Sequence, residues 1–178
     1  RFVPKLLDAL DRAINFCQST LAYGKAQEKP PELKAVNLSA LLHDVGEQLE
    51  LGPDTAPALG IAVQPGLAVQ ADADHLSRVV TNLLRNARAA LEAPSAEIDA
   101  PRITVTATPG ESEVVVDIAD NGPGIPAQVR EKLFRAFSGS SRPGGTGLGL
   151  AIAQELIRGM GGTITLVREP WTVPIQQA

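Results

Sequence analysis

Aromatic side chains make up only 3% of this 178-residue sequence, and it holds one cysteine, Cys17. A core with so few rings must be filled by Leu, Ile, Val and Ala, which the 44% hydrophobic content supplies. A lone thiol excludes an internal disulfide framework and fits a reducing compartment. Long apolar runs are missing too. None reaches the roughly 18 to 20 residues that a membrane-spanning helix needs, and no signal peptide opens the chain. The segment therefore reads as cytoplasmic, without membrane contact. Positive charge is not in excess either: 16 Lys and Arg stand against 20 Asp and Glu, for a net charge of −4 and a pI near 5.2. That balance gives no basic footprint for nucleic acid, so an anionic ligand must be held locally.

The length suits one packed domain plus an appendage. Val3, Leu7, Leu10, Ile14, Cys17 and Leu21 are spaced 4, 3, 4, 3, 4, a narrow stripe like a helical bundle seam. One long helix is expected over residues 1 to about 27, packing on its own domain or on a partner helix. The stretch "QEKPPELKAVN" then ends it with two adjacent prolines and reads as a linker over residues 29–36.

Beyond the linker, Asn37 is an N-cap candidate for a helix over "LSALLHDVGEQLE". "IAVQPGLAVQAD" predicts a strand, a turn and a second short strand. From Asp74 to about Glu92, apolar residues recur at helical spacing, predicting an amphipathic helix. "RITVTATPGESEVVVDIAD" alternates on both sides of Pro109-Gly110, the pattern of a hairpin. A short helix over "PAQVREKLF", a helix over "GLGLAIAQELIRGM" and a strand at "TITLV" complete the order. The fold class expected is α+β: a two-layer α/β sandwich, a mixed sheet with helices on one face, preceded by the bundle helix.

Chemistry concentrates in three places. "SRPGGTGLGLA" puts Gly144, Gly145, Gly147 and Gly149 before a helix, where bare amides and the helix dipole favour a phosphate. No Gly-Lys-Ser/Thr occurs, which excludes a Walker loop, and the glycines do not directly follow a strand as a dinucleotide fold requires. A flexible loop or cap remains the plain structural alternative. "DNGPGIP" places Asp120 at a strand end before Gly122 and Gly124. A carboxylate there is able to accept a hydrogen bond from an exocyclic amine such as adenine's, while the glycines admit a base close to the backbone; an ordinary turn is the alternative. In "NLLRNA", Asn82 and Asn86 lie one helical turn apart. Asparagines on an otherwise apolar helix are costly unless satisfied, and an amide oxygen is a suitable hard ligand for Mg2+.

In this order, "NLLRNA", "DNGPGIP", "LFRAF" and "GGTGLGLA" resemble the N, G1, F and G2 boxes of sensor histidine kinases, in the superfamily that includes type II topoisomerase and MutL ATPases. The resemblance implies a Bergerat-type ATP-binding fold over residues 37–178, with ATP and Mg2+ as ligands. It implies that Asn86 coordinates Mg2+ with Asn82 beside it. Asp120 would receive the adenine amine, with Gly122, Gly124 and Ile125 shaping the base pocket. Leu133, Phe134 and Phe137 would anchor a mobile lid over about Ser138 to Gly145, and Gly145, Thr146, Gly147, Leu148 and Gly149 would lie over the phosphates. Arg142 stands where the family often has lysine, as a γ-phosphate contact or a solvated arginine.

The resemblance also makes residues 1–28 the second helix of a dimerisation and phosphoacceptor hairpin. Its first helix, with the phosphoacceptor histidine, would precede Arg1. His43 and His75 do not fit the acceptor pattern and read as ordinary helix residues. The implied activity is transfer of the ATP γ-phosphate to a histidine outside this chain, and onward to a response-regulator aspartate. Partners would be a receiver domain and a second copy through the N-terminal helix. Position 82 carries an amide where hydrolytic relatives carry a glutamate, and an amide is no general base at neutral pH; this favours transfer over hydrolysis. Alternatives are an anti-sigma-type serine kinase and a non-catalytic kinase-derived adaptor. Ala89 and Ala90 replace the family's common basic and aromatic residues, leaving Arg85 and Arg88 as compensating phosphate contacts or surface arginines.

Overall fold

Asn37 caps the first helix as its side chain predicts: Oδ1 accepts the Ala40 N–H at 3.1 Å, satisfying one of the amides that a helix start leaves without a partner. The structure is a computed structural model and describes residues 30–93, 98–136 and 147–167. The helix expected over residues 1–27 and the segment from Arg168 onward lie outside the described residues. In chain order the elements are β1 (Lys34–Asn37), α1 (Leu38–Gln48), β2 (Ala58–Ala62), β3 (Ala68–Ala71), α2 (Ala73–Leu91), β4 (Arg102–Pro109), β5 (Val114–Asp120), the single turn α3 (Ala127–Arg130) and α4 (Gly149–Gly159).

Strands β2, β4 and β5 form a mixed sheet in that order, β2 parallel to β4 and β4 antiparallel to β5. Strands β1 and β3 make a separate antiparallel pair. The predicted β4–β5 hairpin closes through the Gly110 N–H on the Glu113 carbonyl at 2.7 Å. Two expectations shift. The segments around Pro65-Gly66 are both strands, but they part company: β2 joins β4, whose Ile103 and Val105 extend its apolar face, while β3 joins β1. Residues 34–36, read as linker, are therefore strand, held by ladder bonds that a local pattern does not reveal.

A third expectation fails. Thr163–Val167 forms no strand among the described residues, because no neighbouring strand pairs with it. Ile164 tucks against the α2–α4 contact, while Leu166 and Val167 stand exposed.

Both helices α1 and α2 pack on one face of the three-stranded sheet, giving two layers. Ile103 and Val105 of β4 are fully buried against Leu42 and Val45 of α1 and Val80 and Leu84 of α2; full burial stabilises by about 1.5–3 kcal/mol for each such side chain. The alternate β4 residues Thr104 and Thr106 face the other way and are only half-buried. Helix α4 packs on the far side of α2, where Leu148, Ile152 and Leu156 meet Val79.

The two longer flanking helices end alike with different residues. At α4, the Gly162 N–H returns to the Ile157 carbonyl and the Gly161 N–H to that of Arg158, both at 2.9 Å, with Gly161 at φ 82°. At α1, the Leu51 N–H returns to Gly46 at 2.8 Å and that of Glu50 to Glu47 at 3.0 Å, with Glu50 at φ 55°. Both are Schellman closures, and α1 makes its own without glycine.

Candidate functional site

Helix α2 organises the motifs. Its N-cap, Asp72, accepts the Asp74 and His75 amides through Oδ1, each at 3.1 Å, and the Glu32 amide through Oδ2 at 2.9 Å. The Glu32 amide, with those of His75 and Asp74, holds the Asp72 carboxyl below the usual carboxylate value against an opposing effect of burial. One face of α2 is sunk in the core through Val80, Leu84, Ala87 and Leu91. Asn82 is half-buried beside it and Asn86 is exposed. The desolvation argument made for the two asparagines therefore does not hold for Asn86, which sits on the open side of the helix.

Two other segments come to α2 near these asparagines. At the N-terminus of α4, the bare α-carbon of Gly149 faces Asn82: a Cβ there would lie 3.5 Å from the Asn82 Oδ1. Just before it, Gly147 adopts φ 67°, a conformation natural to glycine. At the other end, the turn after β5 rests on Ala90 and Leu91. The Gly122 N–H donates to Asp120 Oδ1 at 2.9 Å, and a Cβ at Gly122 would come within 2.6 Å of that oxygen. Glycine is required at 122 to let the carboxylate turn inward over its own backbone. Gly124, at φ 74°, continues the turn, and the Ile125 carbonyl accepts the Arg130 Nε–H at 2.7 Å.

The structure thus brings Asn82, Asn86, Asp120, Gly122 and Gly149 to one helix. From Asn82 to Ala90 is two turns, about 12 Å at helical rise. Asp120 ends an exposed edge of the described sheet rather than a buried strand. Ile125, Leu133 and Phe134 are half-buried. Leu148, in the segment expected over the phosphates, has its side chain fully buried in the α2–α4 cluster, where it anchors that segment. Phe137, Arg142, Gly145 and Thr146 lie outside the described residues.

Arg88 leaves the site. Its Nε donates to Glu92 at 2.7 Å and its Nη1 to the Leu49 carbonyl at 3.0 Å, tying α2 to the end of α1. Arg85 is exposed. A hollow of about 350 Å3 between the ends of these helices is lined by Leu49, Glu50, Arg85, Arg88 and Glu92 among others, of which only Arg85 belongs to one of the motifs. His43 is exposed on α1 with Nδ1 2.7 Å from the Ser39 carbonyl oxygen, and His75 is half-buried in the first turn of α2. Among the described residues no helix is long and apolar enough to cross a membrane.

Sequence reasoning passed over two residues here. Asp72 carried a signal, an acid one position before a helical pattern. Asn121 carried none: its side chain bonds Ala100 and Arg102, some twenty positions away in the chain.

Residues 71–176 match the family described as histidine kinase-, DNA gyrase B-, and HSP90-like ATPase. The chain belongs to this family. Among curated proteins, this family member is 37% identical over 148 residues to "Probable sensor histidine kinase TcrY" of Mycobacterium tuberculosis, covering 80% of this chain and 30% of TcrY. It is 34% identical over 152 residues to the sensory histidine kinase/phosphatase NtrB of Escherichia coli O157:H7, covering 79% of this chain and 43% of NtrB. Among solved structures, full-length ShkA in complex with AMPPNP superposes with a TM-score of 0.66 at 27% identity, covering 90% of this chain and 34% of that one. The nucleotide-free catalytic domain of the histidine kinase ThkA gives 0.56 at 27% identity, covering 71% of this chain and 80% of that one. The α+β fold is thus that of histidine kinase catalytic domains, and this ATPase-family chain spans less than half the length of either curated relative.

Proposed function

We propose that the chain is the ATP-binding catalytic part of a two-component sensor histidine kinase, working in the cytoplasm. The observation that carries this reading is the convergence on α2: Asn82 half-buried beside the Gly147–Gly149 segment at its middle, Asn86 exposed one turn on, and the Asp120–Gly122 turn against Ala90 and Leu91 at its end. In this reading the Asp120 carboxylate accepts the adenine amine, with Gly122, Gly124 and Ile125 around the base. The phosphates extend along α2 toward the start of α4, where backbone amides are free of side-chain bulk. Phe137, Arg142, Gly145 and Thr146 are assigned to the lid and its phosphate contacts on the same reading.

The exposed Asn86 amide oxygen suits Mg2+, which keeps water and substrate phosphates as most of its ligands. Among the described residues no group of three or more His, Cys, Asp or Glu gathers as a protein cage, so the ion fits as a companion of the triphosphate. When bound it neutralises phosphate charge. The chain's own contribution is positioning: a phosphoryl transfer asks for alignment and charge neutralisation more than for a covalent protein group. Asn82 offers no general base for water. The γ-phosphate passes to a histidine nitrogen outside this chain and then to a receiver-domain aspartate, and residues 1–28 pair with a second copy.

The test is ATP binding by calorimetry with and without Mg2+, for the parent and for Asp120→Ala and Asn86→Ala. Absence of binding by the parent overturns the reading. A separate helical hairpin bearing the phosphoacceptor histidine, offered with labelled ATP, then yields acid-labile phosphate. Acid-stable phosphoserine instead favours the anti-sigma-type serine kinase, and binding without transfer to any acceptor favours the adaptor.

A further inference from the structure

The side chain of Asn121 makes both of its hydrogen bonds to one short stretch of backbone. Its Nδ2 donates to the Ala100 carbonyl at 3.1 Å, and its Oδ1 accepts the Arg102 N–H at 2.7 Å. Its main-chain N–H donates to the Arg102 carbonyl at 3.2 Å. The two partners also fix which way the amide points, since a backbone N–H needs an oxygen and a carbonyl needs an N–H.

What this clamp holds is strained. Ala100 adopts φ 52°, a left-handed conformation that is unfavourable for an L-residue with a Cβ. It stands immediately before Pro101, whose carbonyl accepts the Ala58 N–H of β2 at 2.9 Å, and before β4. Ile103 of β4 is paired with Asp120, the last rung of the β4–β5 ladder. The clamp is therefore the next fastening beyond that rung, and it joins the chain on either side of Asp120's position: the start of β4 below and the Asn121–Gly122 turn above. Asp120 is otherwise exposed, and apart from its ladder bonds its direction depends on the Gly122 N–H alone among the bonds described.

We propose that Asn121 is a positioning residue for nucleotide-base recognition: by clamping Ala100 and Arg102 it fixes the last rung of the hairpin and so aims the Asp120 carboxylate at the exocyclic amine of the base. This rests on the proposed role of Asp120. Loss of the clamp lets Ala100 relax toward negative φ, frees the start of β4 and leaves Asp120 turning about an unfastened end. The chain then loses affinity, and loses it most for the ligand that carries the amine.

The experiment uses the full chain and compares ATP with inosine triphosphate, which lacks the 6-amine, by calorimetry, with thermal midpoints measured in parallel. Asn121→Ala is expected to weaken ATP binding about tenfold and to narrow the preference for ATP over inosine triphosphate, a readout that plain loss of stability does not move. Asn121→Asp keeps the Arg102 bond but sets an oxygen against the Ala100 carbonyl, and is expected to fall between; it carries the test if Asn121→Ala does not fold. Adding Ala100→Gly to Asn121→Ala is expected to recover part of the loss, because glycine adopts φ 52° without the Cβ penalty. Unchanged affinity and preference in both Asn121 variants overturns the proposal while leaving Asp120 its role. Unchanged ATP binding by Asp120→Ala overturns the reading of the site itself, and the clamp's function with it.

Discussion

The Gly122 amide and the Asp120 carboxylate lie against each other: the N–H donates to Oδ1 at 2.9 Å, and a Cβ on Gly122 would stand 2.6 Å from that same oxygen. Gly122→Ala must therefore displace the carboxylate. ATP affinity is expected to fall by tenfold or more, equivalent to about 1.4 kcal/mol, measured by calorimetric titration. Circular dichroism of the same variant is expected to keep the helical signal, since α1, α2 and α4 do not depend on the turn.

Asn86 separates metal-dependent from metal-independent binding. Asn86→Ala removes the amide oxygen from the open side of α2 without touching the buried face. The expected result is loss of most of the Mg2+-dependent gain in ATP affinity, with binding in the presence of a chelator little changed. Titrations with and without Mg2+ check it.

Asp72 makes stability pH-dependent. Its carboxyl is held below the usual value by the Glu32, His75 and Asp74 amides, so the ionised form favours the folded state. That contribution is complete above the unfolded value of about 3.9 and is lost as pH falls through the lower folded value. Asp72→Ala is expected to cost about 1 kcal/mol near neutral pH, as N-cap removals do. Its urea midpoint should fall less steeply than the parent's between pH 5 and pH 3.

Glu50 sits where α4 uses Gly161. Glu50→Gly is expected to raise the thermal midpoint, with a gain of about 1 kcal/mol from relief of the left-handed Cβ strain. Glu50 belongs to none of the site motifs, so ATP affinity is expected to stay at the parent value.

Leu148 tests the anchoring role of its buried side chain. Leu148→Ala opens a cavity beside Val79 and Ile152 and is expected to destabilise by about 2–5 kcal/mol, read from denaturant melts. A variant that loses nucleotide affinity at full stability would make Leu148 a ligand contact rather than an anchor.

Helices were legible in the sequence where the signal was local. Asn37 announced its cap, the leucines of α2 announced their face, and Gly161-Gly162 announced the end of α4. The β4–β5 hairpin was legible for the same reason, since Pro109-Gly110 and the alternation beside it lie within a few residues. Pairing across distance was not. Nothing in Lys34–Asn37 names β3 as its partner, and nothing in Thr163–Val167 shows that its β pattern finds none among the described residues. At the site, the motif residues stood out by type and spacing. Their supports did not, because Asn121 acts on Ala100 and Arg102, and Asp72 on Glu32, through main-chain atoms whose identity no side chain encodes. Arg88, open in the sequence between a phosphate contact and a surface arginine, bonds the Leu49 carbonyl.

The Asp72 bond to Glu32 and the Arg88 bond to Leu49 together make α2 a beam pinned at both ends. One pin fastens it to the incoming chain, the other to α1, and between them its middle carries Asn82 beside Gly149 and the exposed Asn86. A rod held this way does not hinge. A pull on residues 30–33 reaches Asn82 over ten residues of helix, about 15 Å, as a shift of the whole rod rather than a bend within it.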